Sequence, residues 1–201
     1  MPPIYAGNVS SSELTGLHAL FSSTAGNNWN WSSPVGHWDF SGSPNPCLDN
    51  WEGIACNSDC ANSTSLPCTV ESIGLTAFNM VGTLPQELSL LSSLSYLDLY
   101  DNTLYDSIPS QLGSLCKLQM LHLGDNRLSG PIPSSFAKFL QLIELNLEVN
   151  KLSGSINSVL GAIVQLSYLN LQTNKLTGTL PTAVGSWAAL LAIDLRSNKL
   201  T

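Results

Sequence analysis

Three groups of side chains in this sequence are of types that do chemistry: carboxylates and rings around one histidine, a crowd of cysteines, and a row of cations. Tyr96, Asp98, Tyr100, Asp101, Met120, His122, Asp125, Glu144, Glu148 and Tyr168 make up the first group. Glu144 and Glu148 are near enough in sequence for acid/base work, and Asp98, Asp101 and Asp125 for a calcium ion. No EF-hand-like loop accompanies them, and no cleft is expected to shift their pKa values. H-E-x-x-H, G-x-S-x-G, P-loop and dinucleotide fingerprints do not occur, and His18 and His37 fall in other elements. What aromatic rings and clustered carboxylates do well is make contact: the rings supply area at modest entropy cost, and the charges steer cations. The group therefore reads as a non-catalytic binding patch without a cofactor, suited to a protein or peptide with a basic surface.

The cysteines set the compartment. Cys47, Cys56, Cys60 and Cys68 crowd into 22 residues. Their spacing lacks the paired C-x2-C of a zinc site, so disulfides are expected, with three connectivities open. N-x-[ST] sequons at Asn8, Asn30 and Asn62 add to this, and both features point outside the cytosol; with the family resemblance drawn below they favour a secreted or extracellular glycoprotein. Cys116 is left over, and the expectation for it is a semi-buried small hydrophobe.

The third group, Arg127, Lys151, Lys175 and Lys199, could follow an anionic polysaccharide or form a hydrated edge that discourages aggregation. The formal net charge is −7 and residues 1–69 carry no Lys or Arg, which argues against nucleic acid. No apolar run approaches the roughly 18 residues a membrane-spanning helix needs.

What must position these residues is a repeat. The chain matches itself at a step of 24 residues, with units opening at Val70, Leu94, Leu118, Leu142, Leu166 and Leu190. Within each unit the apolar positions are fixed, as at Leu118, Leu121, Leu123, Leu128 and Ile132, and one Asn recurs, at Asn102, Asn126, Asn150, Asn174 and Asn198. Alternation in L-x-x-L-x-L predicts a short strand per unit, and stacking six in parallel gives a sheet about 24 Å wide at ~4.8 Å per strand. The outward columns are then Ser72, Tyr96, Met120, Glu144, Tyr168 and Ala192, followed by Gly74, Asp98, His122, Asn146, Asn170 and Asp194. A third holds Thr76, Tyr100, Gly124, Glu148, Gln172 and Arg196, and a fourth Ala77, Asp101, Asp125, Val149, Thr173 and Ser197. The recurring Asn is expected to point inward as a ladder that satisfies buried backbone groups.

The pattern L-x-x-L-x-L-x-x-N-x-L-x-G-x-[IL]-P resembles the plant-type leucine-rich repeat, as in receptor-like kinase ectodomains and polygalacturonase-inhibiting proteins. It departs at Phe78, at Asp106 in place of Gly, and at Asn157 in place of Pro. "CLDNWEGIAC" is similar to the paired-cysteine signature of that family's N-terminal cap, which implies a Cys47–Cys56 disulfide near Trp51 and leaves Cys60 and Cys68 as a second pair. The resemblance implies an α/β repeat solenoid, a leucine-rich-repeat right-handed superhelix, with the parallel sheet on its concave face and a disulfide-stapled cap. The expected division is a cap over residues 1–69 and six repeats over 70–201, the last incomplete. In the cap, Ser10 and Glu13 have capping-box spacing, and Leu14, Leu17, Leu20 and Phe21 form a helical stripe to lie on the stack. "LLAIDLRSNKLT" breaks off inside a repeat, so a continuation of the sequence, or another chain at that end, is expected. Two functions follow: recognition of a protein, peptide or glycan on the concave face, or a structural subunit of an extracellular or cell-wall assembly.

Overall fold

The computed structural model describes residues 8–33, 35–61 and 67–201. Helix α1, Ser11–Ser23, begins with the expected capping box: the Ser10 side chain accepts from the Glu13 amide, and Glu13 accepts from the Ser10 amide. Glu13 has a second task. Its buried carboxylate accepts the Val70 amide at 2.9 Å, so one side chain closes the helix start and the first repeat strand together.

Thirteen short strands follow. They are β1 (Ile54–Cys56), β2 (Val70–Gly74), β3 (Val81–Thr83), β4 (Tyr96–Asp98), β5 (Thr103–Ser107), β6 (Met120–His122) and β7 (Arg127–Gly130). Then come β8 (Glu144–Asn146), β9 (Lys151–Ser155), β10 (Tyr168–Asn170), β11 (Lys175–Gly178), β12 (Ala192–Asp194) and β13 (Lys199–Leu200).

The strands alternate between two sheets. The first runs β1-β2-β4-β6-β8-β10-β12, all parallel except β1, and pairs residues 24 apart, such as Asp98 with His122 and His122 with Asn146. Six strands were expected here; the seventh is a cap strand, β1, laid antiparallel on β2, which covers an edge that would otherwise expose unpaired amides. The second sheet, β3-β5-β7-β9-β11-β13, forms from the N-x-L-x-G part of each unit. Sequence periodicity gave no expectation of it.

Between the sheets each of the first five repeats makes a 3-10 turn: Gln86–Leu90, Ser110–Ser114, Ser134–Lys138, Ser158–Ala162 and Thr182–Ser186. Pro85, Pro109, Pro133 and Pro181 precede four of them, fixing φ where an amide is not needed. Asn157 precedes the other, and its side chain instead accepts the Val159 amide at 3.0 Å, so the departure from Pro keeps a cap.

The core is a column of Leu running through the stack, with Leu97, Leu121, Leu145 and Leu169 at most 2% exposed. Each unit buries its apolar face only on its neighbours, so the first needs a cover. That cover is α1, which lies on the Gln86–Leu90 turn so closely that a Cβ on Gly16 would come within 2.9 Å of the Glu87 carbonyl. Beside it Phe21, Trp29, Trp31, Trp38, Phe40, Trp51 and Phe78 form one aromatic cluster. The indole amines of Trp29 and Trp38 donate to the Thr24 and Glu52 carbonyls, so the rings are buried without stranding a donor.

Candidate functional site

Strand alternation turns the leucines of each unit inward, as at Leu97 and Leu99, and leaves the outward columns of β4, β6, β8 and β10 side by side. Two bonded groups result. In the first, the Tyr96 hydroxyl donates to Asp98 Oδ2 at 2.9 Å and the Tyr100 amide donates to Asp98 Oδ1 at 2.9 Å. His122 stands across from Asp98, with Nδ1 3.8 Å from Asp98 Oδ2 and Nε2 3.2 Å from Glu144 Oε1. The Nε2 contact is misaligned for a hydrogen bond, so this buried nitrogen faces a carboxylate without bonding to it. The ring meets Tyr96 edge-on at 6.0 Å.

The electrostatics follow from these contacts. Burial pushes the Asp98 carboxyl upward, but His122, the Tyr100 amide, Tyr96 and Thr76 outweigh it and hold the group down at about 2. His122 is raised from 6.5, chiefly by the Asp98 carboxylate, with burial opposing and Glu144 adding to the rise. Desolvation, then the Asp98 bond and the Asp98 and Glu144 charges, lifts Tyr96 to about 12. The open face was expected to leave Glu144 and Glu148 unshifted, yet Glu148 is lowered. The correction has a plain cause: neighbouring side chains desolvate and bond one another even without a cleft.

The second group centres on Glu148. Gln172, Asn170 and Asn146 side-chain amides donate to its carboxylate, as does the Tyr100 hydroxyl, and these bonds outweigh desolvation to lower its pKa. Gly124 is what lets Tyr100 and Glu148 meet across the intervening repeat, since a Cβ there would stand 3.0 Å from both. Arg196 extends the network, donating to Gln172 and to Asp194. Asn146, Asn170, Gln172, Asp194 and Arg196 were legible as column members but not as parts of a site; the signal was their register opposite Asp98, His122 and Glu148.

Other expected residues fall around these groups. Met120 lies between Tyr96 and Glu144 in register, and Tyr168 beside Glu144, 46% exposed. Asp101 and Asp125 are exposed at the rim, not in a strand. Their column, Ala77 to Ser197, is a left-handed turn with φ between 46° and 60° in every repeat. Among the described residues, the only three side chains of metal-ligating type whose ligand atoms converge are Cys47, Cys60 and Cys68, so Asp98, Asp101 and Asp125 are not gathered around one point.

The recurring asparagines face inward. In each, Nδ2 reaches three carbonyls and Oδ1 accepts an amide from the previous repeat; Asn126 takes the Leu99, Leu123 and Gly124 carbonyls and the Leu104 amide. Asn102, Asn150, Asn174 and Asn198 repeat the set.

Cys47 bonds Cys56 and Cys60 bonds Cys68, with Cα separations of 5.7 and 4.8 Å, and the sulfurs of the two bridges adjoin. Trp51 is buried and stacks on Trp38. Cys116 corrects the expectation: it is exposed, because its column turns outward, as the 63% exposure of Leu140 and 49% of Val164 show. Asn8 and Asn30 are exposed; Asn62 lies outside the described residues. Among the described residues no helix is long and apolar enough to cross a membrane.

Comparison with known proteins agrees with this architecture. The Leucine Rich Repeat family model matches residues 93–115, 117–139 and 165–187. A probable leucine-rich repeat receptor-like protein kinase from Arabidopsis thaliana is 37% identical over 91 residues, 45% of this chain; the match spans 8% of that relative's length. The ectodomain of the receptor kinase SOBIR1 from Arabidopsis thaliana superposes with a TM-score of 0.78 at 27% identity, over 96% of each chain. A chain of the BIR3–SERK2 complex from the same plant gives 0.73 at 30% identity, over 94% of this chain and 98% of that one. With its 24-residue units, its Asn ladder and its paired cysteines, this chain belongs to the plant-type leucine-rich-repeat family with a cysteine-containing N-terminal cap.

Proposed function

We propose that the chain is an extracellular recognition module that binds a protein or peptide with a basic surface on its concave face, and that it is not an enzyme. The observation that carries this reading is a division of labour among the carboxylates. Asp98 and Glu148 are spent on internal bonds that hold Tyr96, Tyr100, His122 and the amides in place. The exposed Asp101 and Asp125 remain available to a visitor, and so in part does Glu144, whose side chain is 31% exposed while one oxygen stands 3.2 Å from His122 Nε2. A fixed aromatic and amide floor rimmed by free negative charge costs little to order on binding and steers cationic partners.

The relatives support the class. SOBIR1 is a receptor kinase, and BIR3 with SERK2 is a complex of two proteins. The two disulfides fit an oxidising compartment.

The test is selection of random displayed peptides on the immobilised chain. Selected sequences should be enriched in Lys and Arg, and should fail to be enriched on a chain carrying Asp101→Asn, Asp125→Asn and Glu144→Gln. Enrichment of acidic or purely apolar peptides, or the same set from both chains, would remove the electrostatic reading. Asn tolerates the left-handed turn as Asp does, so the substitutions leave the backbone alone.

A further inference from the structure

The second sheet presents a face that the recognition reading does not use. Arg127, Lys151, Lys175 and Lys199 open β7, β9, β11 and β13, one cation on each of four successive strands. All four are exposed, and none takes part in an ion pair among the described residues. They are four of the seven Lys and Arg in a chain whose net charge is −7. In the second sheet the strands β9, β11 and β13 contain no Asp or Glu, so the positive strip there is uninterrupted.

Register sets the spacing. Lys151 pairs with Ser129, Lys175 with Ser153 and Lys199 with Thr177, so each cation is staggered two residues from the one before. At ~4.8 Å between strands and ~3.3 Å per residue along them, successive cations stand about 8 Å apart. The Debye length at physiological salt is also about 8 Å, so a chain lying on the strip feels adjacent cations together.

The partners in that register are hydroxyls. Ser129, Ser153 and Thr177 lie beside the cations, and Ser107 pairs with Ser129 in turn. Ser107 also lines a groove of about 740 Å³ that crosses three repeats, with Ser155, Pro109, Pro131 and Pro133 among its walls. The face therefore offers in sequence fixed-spacing cations, hydroxyls that donate and accept, and an open trough with proline walls.

We infer that this lateral face binds a linear anionic polysaccharide, its acid groups on the cation row and its sugar rings over the hydroxyls and the proline-walled groove. A polyanion answers the evenly spaced charge, and saccharide chemistry answers the rest: hydroxyl meets hydroxyl, and the C–H faces of the rings lie on proline. Carboxylated and sulfated glycans share this chemistry.

The experiment measures retention and affinity of the full chain on alginate (carboxylated), heparin (sulfated), neutral dextran and polyglutamate. The expected result is binding to alginate, heparin or both, none to dextran and weaker binding to polyglutamate. Which of the first two binds identifies the acid group. Lys151→Gln with Lys175→Gln should weaken glycan binding at least tenfold and reduce the salt dependence by close to two released ions, with unchanged melting. Glu144→Gln on the other face should leave glycan binding unchanged. Tighter binding to polyglutamate would assign the strip to an acidic protein and overturn the inference. Binding that survives the double substitution, or no binding to either glycan, would overturn it as well.

Discussion

Val149 carries a β-branched side chain in a left-handed turn at φ 46°, where Asp101 and Asp125 occupy the same turn in earlier repeats. The strain of a β-branched residue there is on the order of 1 kcal/mol. Val149→Asn should therefore stabilise the chain and raise its melting temperature by roughly 2–4 °C; a lower melting temperature would show that the Val side chain has a packing role. Asn126 is the opposite case, because it satisfies three carbonyls and an amide inside the stack. Asn126→Ala strands those groups and should cost about 2–4 kcal/mol in urea unfolding. His122 links stability to pH. Its pKa is raised above 6.5 by folding, so its contribution is complete below 6.5 and fades as pH rises through the raised value. Compared with His122→Gln, the native chain should lose melting temperature above neutral pH; parallel profiles for the two would contradict the Asp98–His122 coupling. Asp98 works the other way, its contribution being lost as pH falls from 3.8 through about 2.

At the scale of elements, the cap is held to the stack by close approach as much as by burial. Gly82 sits at φ 151° in β3, and a Cβ there would stand 1.8 Å from the Ser23 carbonyl at the end of α1. Gly82→Ala should lift α1 from the first repeat, seen as faster proteolysis near residues 24–30 and a change in tryptophan fluorescence. An unchanged digestion pattern would mean the cap is held elsewhere. The two cap disulfides close loops of 9 and 8 residues, so each restricts the unfolded chain by about 2.5 kcal/mol on a loop-entropy estimate. Much of this level was readable in advance: the capping box at Ser10 and Glu13, the Leu columns and the inward Asn all follow from spacing. The second sheet, the antiparallel β1 and the turn conformation of the Asp101 column were not, since they depend on how repeats shear past one another. The candidate site was legible as columns of residue types. Which carboxylates would be consumed by internal bonds and which left free depends on cross-repeat contacts that no single repeat encodes.

For the whole molecule, stacking gives two faces of opposite character on one rigid frame. The concave sheet gathers carboxylates around Tyr and His, while the lateral sheet carries an exposed cation on each of four of its strands. His122 predicts a further property of the concave face: as pH rises through its raised pKa the face becomes more negative, and affinity for a cationic peptide should rise with it. The most direct test is calorimetric titration of one selected basic peptide into the native chain and into the chain with Asp101→Asn, Asp125→Asn and Glu144→Gln. Removing these three carboxylates should weaken binding about tenfold or more, near 1.4 kcal/mol. Equal affinity for the two chains would contradict the account of the concave face as an acidic recognition surface.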